Sequence, residues 1–191
     1  MPTPLTFLIV HGAYGHPEGN WFPWLKQALQ AYGNVVIPQF PTPEGQNLDA
    51  WRAIAHRALA KSVPHETVLI GHSSGAIFVL RLAEETPQPF KAVFPVCPFA
   101  RDLGNATFDP LNATFYTPAP DWKAIKRGAE KIIGFAGDND PYVPLSTSRA
   151  VTDALDAELI VIEKGGHLNA ESGYRALPLL LKEIRNIVGM P

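Results

Sequence analysis

The sequence has few of the features that mark secreted, membrane-spanning or nucleic-acid-binding proteins. It contains a single cysteine, Cys97, which excludes an internal disulfide and is most simply a small buried residue. The formal net charge is only −2 and the lysines and arginines are scattered, which disfavours nucleic acid as a partner. No apolar run is long enough to cross a bilayer, and no basic stretch followed by an apolar one opens the chain. We therefore expect a cytoplasmic protein that neither spans a membrane nor binds nucleic acid.

Short apolar runs alternate with segments of helical spacing along the whole chain. With 191 residues and a hydrophobic fraction of 46%, the composition indicates one globular domain over residues 1–191. Mostly apolar strands separated by helices are typical of a parallel sheet covered on both faces, so we expect an α/β fold built as a three-layer α/β/α sandwich. Strands are predicted at residues 5–10, 34–38, 67–71, 91–97, 131–136 and 158–162. Helices are predicted at residues 21–32, 48–62, 74–86, 121–127, 146–155 and 170–188. Gly33 is expected to end the first helix, Ser146 to cap the fifth and Pro178 to bend the last. Residues 98–120 are expected to be irregular.

The pentapeptide Gly71-His72-Ser73-Ser74-Gly75 lies where an apolar strand passes into a helix. In that context G-x-S-x-G predicts a nucleophile elbow, a sharp turn that exposes the serine hydroxyl at the carboxyl end of the strand. Gly71 and Gly75 would let strand and helix approach closely, because neither has a Cβ. The alternative is a simple turn of small residues. Whether Ser73 is a nucleophile therefore depends on whether other loops supply a base and an acid.

Two other loops carry such groups. His167 follows the last predicted strand, and Asp138 and Asp140 follow the fifth. In a parallel sheet these loops open on the same edge as Ser73, and the order Ser, Asp, His is that of an α/β-hydrolase. His167 would take the serine proton as a general base, and a carboxylate would orient its ring. Asp140 is favoured because Pro-Tyr-Val-Pro follows it, Asp138 is the alternative, and His167 could otherwise be a surface histidine in a turn.

Acyl transfer also needs backbone N–H groups that stabilise an oxyanion. Ser74 is expected to supply one, and either Ala13 or Tyr14, in the loop after the first strand, the other. We interpret His11 and His72 as residues that hold loops or pack. The remaining histidines show no metal-ligand spacing, so neither a metal nor a cofactor is expected.

Aromatic residues concentrate in and near the segment 98–120. Trp21, Phe99, Phe115 and Tyr116 are candidates for the wall of a substrate-binding pocket for an acyl or aromatic group. They could equally belong to the core, and the sequence favours neither interpretation.

Several motifs make the whole chain resemble a known family: NWFPWLK at residues 20–26, GHSSGA at 71–76, DPYVP at 140–144, and the shorter His11-Gly12, Asp102-Leu103-Gly104 and Gly166-His167. It resembles the small serine hydrolases typified by retinoblastoma-binding protein 9 and its bacterial esterase relatives, within the α/β-hydrolase superfamily. The resemblance implies a compact hydrolase core without a large cap domain and a strand order of 2-1-3-4-5-6. It also implies a catalytic triad of Ser73, Asp140 and His167. The segment 11–15 departs from the glycine-rich loop of human-type members and looks more like the bacterial relatives.

The motifs and the resemblance together predict a serine hydrolase. It would cleave an ester, thioester or amide of a small-molecule acyl substrate through an acyl-Ser73 intermediate. Two alternatives use the same fold: a catalytically weak module that binds a protein partner, as is described for some members, and an acyltransferase with an acceptor other than water.

Overall fold

This computed structural model describes residues 5–189, which form six strands and seven α-helices. One α-helix follows each strand except the fourth, which is followed by two. Among these residues no helix is both long and apolar enough to span a bilayer. The strands are β1 (Leu5–Val10), β2 (Gly33–Val36), β3 (Thr67–His72), β4 (Ala92–Val96), β5 (Ile133–Gly137) and β6 (Glu158–Ile162). The helices are α1 (Phe22–Leu29), α2 (Leu48–Ala58), α3 (Ser74–Glu85), α4 (Asp109–Tyr116), α5 (Trp122–Arg127), α6 (Leu145–Ala154) and α7 (Pro178–Val188), and a 3₁₀ turn, Pro64–Glu66, precedes β3.

The strands form one parallel sheet in the order β2-β1-β3-β4-β5-β6. This confirms both the α/β sandwich and the strand order that the family resemblance implies. The chain reverses its direction of travel across the sheet between β2 and β3, so β1 and β3 become neighbours. Val10 is in register with Gly71, and the loops after β1 and β3 therefore begin side by side. Ligands of open α/β sheets bind at such a switch point.

Two hydrophobic clusters cover the two faces of the sheet. Successive side chains of a strand point to opposite faces, so Phe7 and Ile9 enter one cluster while Leu8 and Val10 enter the other. The first cluster is closed by α1 and α7, and the second by the helices from α2 to α6. Burial on both sides accounts for the nearly continuous apolar runs that predicted the strands.

Pro95 interrupts the hydrogen bonding between β4 and β5. Val93 and Cys97 each donate an N–H to a carbonyl on the β5 side, at 2.9 and 2.7 Å. Pro95 lies between them and has no N–H to donate. The two strands accordingly share one register pair, Val96 with Phe135.

The expectation that residues 98–120 are irregular is wrong, because they contain α4. The carboxylate of Asp109 accepts the N–H groups of Leu103 and Asn105, at 2.9 and 2.8 Å, and so orders the approach to the helix. Pro110 lies in the first turn, where its missing N–H costs nothing. The prolines and asparagines that suggested a loop thus serve to start this helix.

Three expectations about helix ends are also wrong. The last helix begins at Pro178 and is not bent there, because residues 169–174 form turns with Gly173 at φ +88°. Gly33 belongs to β2, and α1 is capped by Gln30. Ser146 lies inside the first turn of α6, whose cap residue Pro144 makes no side-chain cap bond.

Candidate active site

Ser73 occupies the turn between β3 and α3 in a conformation that side chains rarely adopt. Its φ is 58° and its ψ is −119°, a backbone strain that costs on the order of 1–3 kcal/mol. The glycines make the turn possible: a Cβ on Gly71 would lie 2.1 Å from the carbonyl oxygen of Gly75. The Ser73 N–H donates to the carbonyl of Val96 at 2.9 Å, which ties the strained residue to β4. Strain of this kind is concentrated at functional sites.

His167 and Asp140 form a buried pair at the same edge of the sheet. Nδ1–H of His167 donates to Oδ2 of Asp140 at 2.7 Å, and the side chains are only 7% and 1% exposed. Oδ1 of Asp140 accepts the N–H groups of Tyr142 and Val143, at 2.8 and 3.0 Å. Burial acts to raise the pKa of Asp140, but the hydrogen bond and charge of His167, with the two N–H groups, outweigh it and lower that pKa. With the ring proton on Nδ1, Nε2 of His167 is the nitrogen left as an acceptor.

The second aspartate of this loop has a different partner. Oδ1 of Asp138 accepts the N–H of Lys164 at 2.7 Å, and Oδ1 of Asn139 accepts the N–H of Gly166 at the same distance. Both side chains therefore shape the loop that leads to His167. Of the two candidate acids, the structure brings Asp140 to the imidazole and places Asp138 elsewhere.

Ser73 and His167 open into one cavity of about 490 Å³. Its walls come from the loops after β1, β3, β5 and β6 and from the segment 98–120. Across residues 5–189, no hydrogen bond joins the side chains of Ser73 and His167. Such contacts are often long in unliganded enzymes and tighten when substrate binds.

The two candidate oxyanion donors in the loop after β1 point to different partners. The Ala13 N–H donates to Oγ of Ser74 at 3.2 Å, so it faces the turn that holds the serine. The Tyr14 N–H donates to the hydroxyl of Thr42 at 2.8 Å, and that hydroxyl donates to Gln46 at 2.6 Å. The Tyr14 amide is thus committed to another loop, and the Ala13 amide lies beside Ser74.

His11 holds the loop that presents Ala13. Its Nδ1–H donates to the carbonyl of Gly12 at 2.8 Å, and its Nε2 accepts the N–H of Phe40 at 3.1 Å. Burial lowers the pKa of His11, so the neutral ring keeps both contacts.

His72, Cys97 and His167 are the group whose side chains could together hold a metal, with ligand atoms within 4.8 Å of one another. Nε2 of His72 and Sγ of Cys97 both lie against the carbonyl oxygen of His167, at 2.8 and 3.4 Å. Burial, and then the charge of Asp140, raise the pKa of the Cys97 thiol. A metal would have to break both contacts and deprotonate this thiol, so the geometry favours a packing cluster.

The structure corrects the prediction that Trp21 lines the substrate pocket. Its side chain is fully buried and packs edge to face on Phe22, with ring centroids 4.7 Å apart. Its indole N–H donates to the carbonyl of Leu168 at 2.9 Å. The indole ring of Trp21, just before α1, can be fully buried because its N–H group has a hydrogen-bond partner in the interior.

The other three predicted aromatic residues divide between cavity and core. Phe99 lines the cavity. Phe115 lies in the core against Trp51, and the hydroxyl of Tyr116 donates to Asp102 at 2.6 Å. For Phe115 and Tyr116 the pocket interpretation is therefore wrong, because α4 turns both side chains toward the hydrophobic cluster.

Two aromatic residues of the cavity wall, Phe108 and Tyr142, are not among the four candidates, although Phe108 belongs to the aromatic segment 98–120. Phe108 packs edge to face on Tyr14 and on Tyr142, with ring centroids 5.8 and 5.9 Å apart. The ring of Tyr142 packs in the same way on that of His167, at 5.0 Å. Tyr14 and Tyr142 remain 53% and 39% exposed. Tyr142 could have been predicted from its position two residues after Asp140. For Phe108 the sequence gives no indication beyond the aromatic-rich segment around it.

Comparison with known proteins gives consistent matches over nearly the whole chain. A family model described as serine hydrolase matches residues 7–186. YdeN of Bacillus subtilis is 30% identical in sequence over 176 residues, which cover 90% of each chain. In the structural comparison, the crystal structure of YdeN superposes with a TM-score of 0.88 at 26% identity. That superposition covers 97% of this chain and 99% of YdeN. Serine hydrolase RBBP9 of Rattus norvegicus is 30% identical over 172 residues, covering 87% of this chain and 89% of its own.

A more distant solved structure shares the fold alone. Est1E of Butyrivibrio proteoclasticus, solved with bound ferulic acid, has a TM-score of 0.69 at 18% identity, covering 94% of this chain and 89% of that one. Since the family model and two relatives at 30% identity each span most of the chain, this protein belongs to the serine hydrolase family and is a hydrolase of the α/β-hydrolase fold.

Proposed function

We propose that the protein is a carboxylester hydrolase in which Ser73 is the nucleophile, His167 the general base and Asp140 the acid that orients the base. The observation that carries the proposal is the buried His167–Asp140 pair, 2.7 Å apart, which shares a cavity with a serine strained to a φ of 58°. An imidazole fixed through one nitrogen by a carboxylate, near a serine exposed by a sharp turn, is the arrangement that nucleophile activation requires.

In this mechanism the hydroxyl oxygen of Ser73 attacks the ester carbonyl while Nε2 of His167 takes its proton. The carbonyl electron pair moves to oxygen. The N–H of Ser74 donates to the oxyanion, and the N–H of Ala13 joins it by exchanging its bond to Oγ of Ser74 for one to the oxyanion. Collapse of the tetrahedral intermediate breaks the bond to the alcohol, which leaves with the proton from the imidazolium. Water then attacks the acyl-Ser73 ester by the same steps and releases the carboxylic acid and the free serine.

The cavity wall suggests the kind of acyl group. Phe99, Phe108, Tyr14 and Tyr142 present aromatic edges and faces, and Leu103 adds an aliphatic side chain. A volume of about 490 Å³ is within the range of small-molecule sites. We infer a preference for esters whose acyl or alcohol part carries an apolar or aromatic group of modest size.

The test is labelling with a fluorophosphonate probe, followed by intact mass and peptide mapping. We expect one adduct, on Ser73, that is lost in Ser73→Ala. Ser146→Ala is the matched control, since Ser146 is an exposed serine of α6, and its labelling should equal that of the parent. An unlabelled parent protein, or an adduct on another residue, would show that Ser73 is not an activated nucleophile.

A substrate panel then tests the ester preference. Acetyl, phenylacetyl and feruloyl esters are compared with the matching anilides, the feruloyl ester being included because Est1E is solved with ferulic acid. We expect turnover of the esters, fastest with an aromatic acyl group, and loss on the order of 10⁶-fold in kcat with Ser73→Ala. Faster cleavage of the anilides than of the esters would refute the carboxylester proposal.

A further inference from the structure

Two consecutive backbone carbonyls at His167 are each held by a buried ring N–H group. Nε2–H of His72 donates to the carbonyl of His167 at 2.8 Å, and Nε1–H of Trp21 donates to the carbonyl of Leu168 at 2.9 Å. The Trp21 and His72 rings also meet edge to face, with centroids 6.2 Å apart and planes at 90°. The donors come from the segment before α1 and from the end of β3, whereas the carbonyls belong to the loop after β6. The two bonds therefore join the histidine loop to the side of the sheet that carries Ser73.

The protonation state of His72 suits it to this contact and not to proton transfer. Burial, and then the charge of His167, lower the pKa of His72 to about 3, so its ring is neutral at working pH. A carbonyl oxygen only accepts hydrogen bonds, which places the single ring proton on Nε2. The ring of His72 packs against that of His167 with centroids 4.8 Å apart. His72 thus contacts both the backbone and the side chain of the proposed base.

The backbone that these donors hold is strained. Leu168 has a φ of 49° although it is not a glycine and is fully buried, and Gly166 on the other side of His167 has a φ of 54°. A left-handed conformation costs an ordinary side chain roughly 1–2 kcal/mol. Such a residue keeps its conformation only where surrounding contacts enforce it. His72 and Trp21 hold the strained backbone in this conformation through their hydrogen bonds to the carbonyls of His167 and Leu168.

We propose that His72 and Trp21 are positioning residues of the hydrolase, which clamp the carbonyls of His167 and Leu168 and so keep the imidazole of His167 aligned between Asp140 and Ser73. The inference rests on the proposed function, because it takes His167 as the base. It assigns a role to Trp21, which the sequence singled out within NWFPWLK and which does not line the cavity. Both residues act through His167.

The variants remove each donor and keep a ring in place. Trp21→Phe and His72→Phe abolish the two N–H donors, and His72→Gln returns an N–H group near the position of Nε2. Trp51→Phe is the control, because Nε1–H of Trp51 also donates to a backbone carbonyl at 2.9 Å, that of the half-buried Pro41. Trp51 lies in the cluster on the opposite face of the sheet.

The first measurement determines, for the parent protein and for each variant, the rate of fluorophosphonate labelling and the melting temperature, and compares the two. Trp21→Phe and Trp51→Phe should lower the melting temperature by similar amounts, since each loses one indole–carbonyl bond. The labelling rate should fall about 10²-fold in Trp21→Phe and His72→Phe, because a displacement of about 1 Å in an active site has that effect. It should change less than about twofold in Trp51→Phe, and His72→Gln should recover most of it. Loss of labelling in all variants in proportion to melting temperature would show that His72 and Trp21 only stabilise the fold.

The second measurement does not depend on activity. In ¹⁵N-labelled protein the Nδ1–H proton of His167, held by Asp140 at 2.7 Å, is followed by NMR for its chemical shift and its exchange with water. Exchange should become faster in Trp21→Phe and His72→Phe and stay unchanged in Trp51→Phe. An unchanged His167 signal in the first two variants would overturn the inference. If the parent protein hydrolyses no ester, the proposed function fails, and this signal still decides whether the clamp exists.

Discussion

Replacing Gly12 by alanine should displace the proposed nucleophile together with the turn that carries it, because the new Cβ would also lie 3.2 Å from the backbone carbonyl oxygen of His72. A Cβ on Gly12 would lie 2.9 Å from Cβ of Ser73 and 3.4 Å from its Oγ. Carbon atoms in contact prefer separations of about 3.5–4.0 Å, so the serine or the loop must yield by a large part of an ångström. A shift of about 1 Å at a reacting atom costs about 10² in rate. We therefore expect kcat/KM to fall about 10²-fold, with a loss of stability of about 1–3 kcal/mol from overpacking.

The assay compares kcat/KM for p-nitrophenyl acetate with the fluorophosphonate labelling rate and the urea-unfolding midpoint. Gly189→Ala is the control: its φ of +70° strains an alanine, yet no atom of residues 5–189 lies within 4 Å of a Cβ placed there. That variant should lose stability on the order of 1 kcal/mol and keep full activity. A folded Gly12→Ala protein with activity within twofold of the parent would refute the claim that Gly12 packs against a working Ser73.

Three further predictions concern titration, the cavity wall and the buried thiol. In the unfolded state His72 takes up a proton below its ordinary pKa of 6.5, whereas in the folded state it does so only near pH 3. Between these two values protons favour the unfolded state. The free energy of unfolding should therefore fall by up to about 1.4 kcal/mol per unit as the pH drops from 6.5 to 3. Urea titrations at several pH values should show a smaller slope for His72→Gln, and equal slopes would contradict a neutral buried ring. Phe108→Ala should lower kcat/KM about tenfold for phenylacetyl esters and much less for acetyl esters, since an aromatic contact is worth about 0.5–1.5 kcal/mol; equal losses would argue against an aromatic wall. Cys97, whose thiol is fully buried with a raised pKa, should react with a thiol reagent in urea and hardly at all in the folded protein, and rapid native reaction would show that the site opens.

The sheet and the placement of Ser73 could be predicted because both depend on local patterns. Apolar runs between helical segments indicate buried parallel strands, and Gly71 and Gly75 flank a turn in which a Cβ would meet backbone 2.1 and 2.5 Å away. Once the strand order is known, the loops of Asp140 and His167 must open on the edge that carries Ser73. The sequence favours Asp140 over Asp138, and the folded loop shows the contacts of each: Asp140 meets the imidazole, and Asp138 meets the N–H of Lys164.

What the sequence did not reveal depends on contacts between distant segments. Nothing in the sequence connects Trp21 with the carbonyl of Leu168, 147 positions later. An indole that is buried with a hydrogen-bond partner cannot be distinguished by sequence from an aromatic residue of a pocket wall. For this reason Trp21 and Phe115 are candidates for the pocket and for the core alike. Helix α4 was not predicted because aspartate and proline, here Asp109 and Pro110, are also common in turns. The structure shows that the carboxylate of Asp109 accepts the N–H groups of Leu103 and Asn105 and so orders the segment before the helix.

Pro95 leaves one gap in the β4–β5 ladder, and this gap lies between the two halves of the proposed site. Ser73 and Ala13 follow strands on one side of the interrupted β4–β5 ladder, whereas Asp140 and His167 follow strands on the other. A small opening along this seam would change the distance between serine and imidazole while the Asp140–His167 pair stayed intact, so reactivity would be lost before any strand unfolded. The hydrogen bonds of Trp21 and His72 cross the same seam above the carboxyl ends of the strands, and they reinforce the sheet where Pro95 leaves a backbone bond unmade.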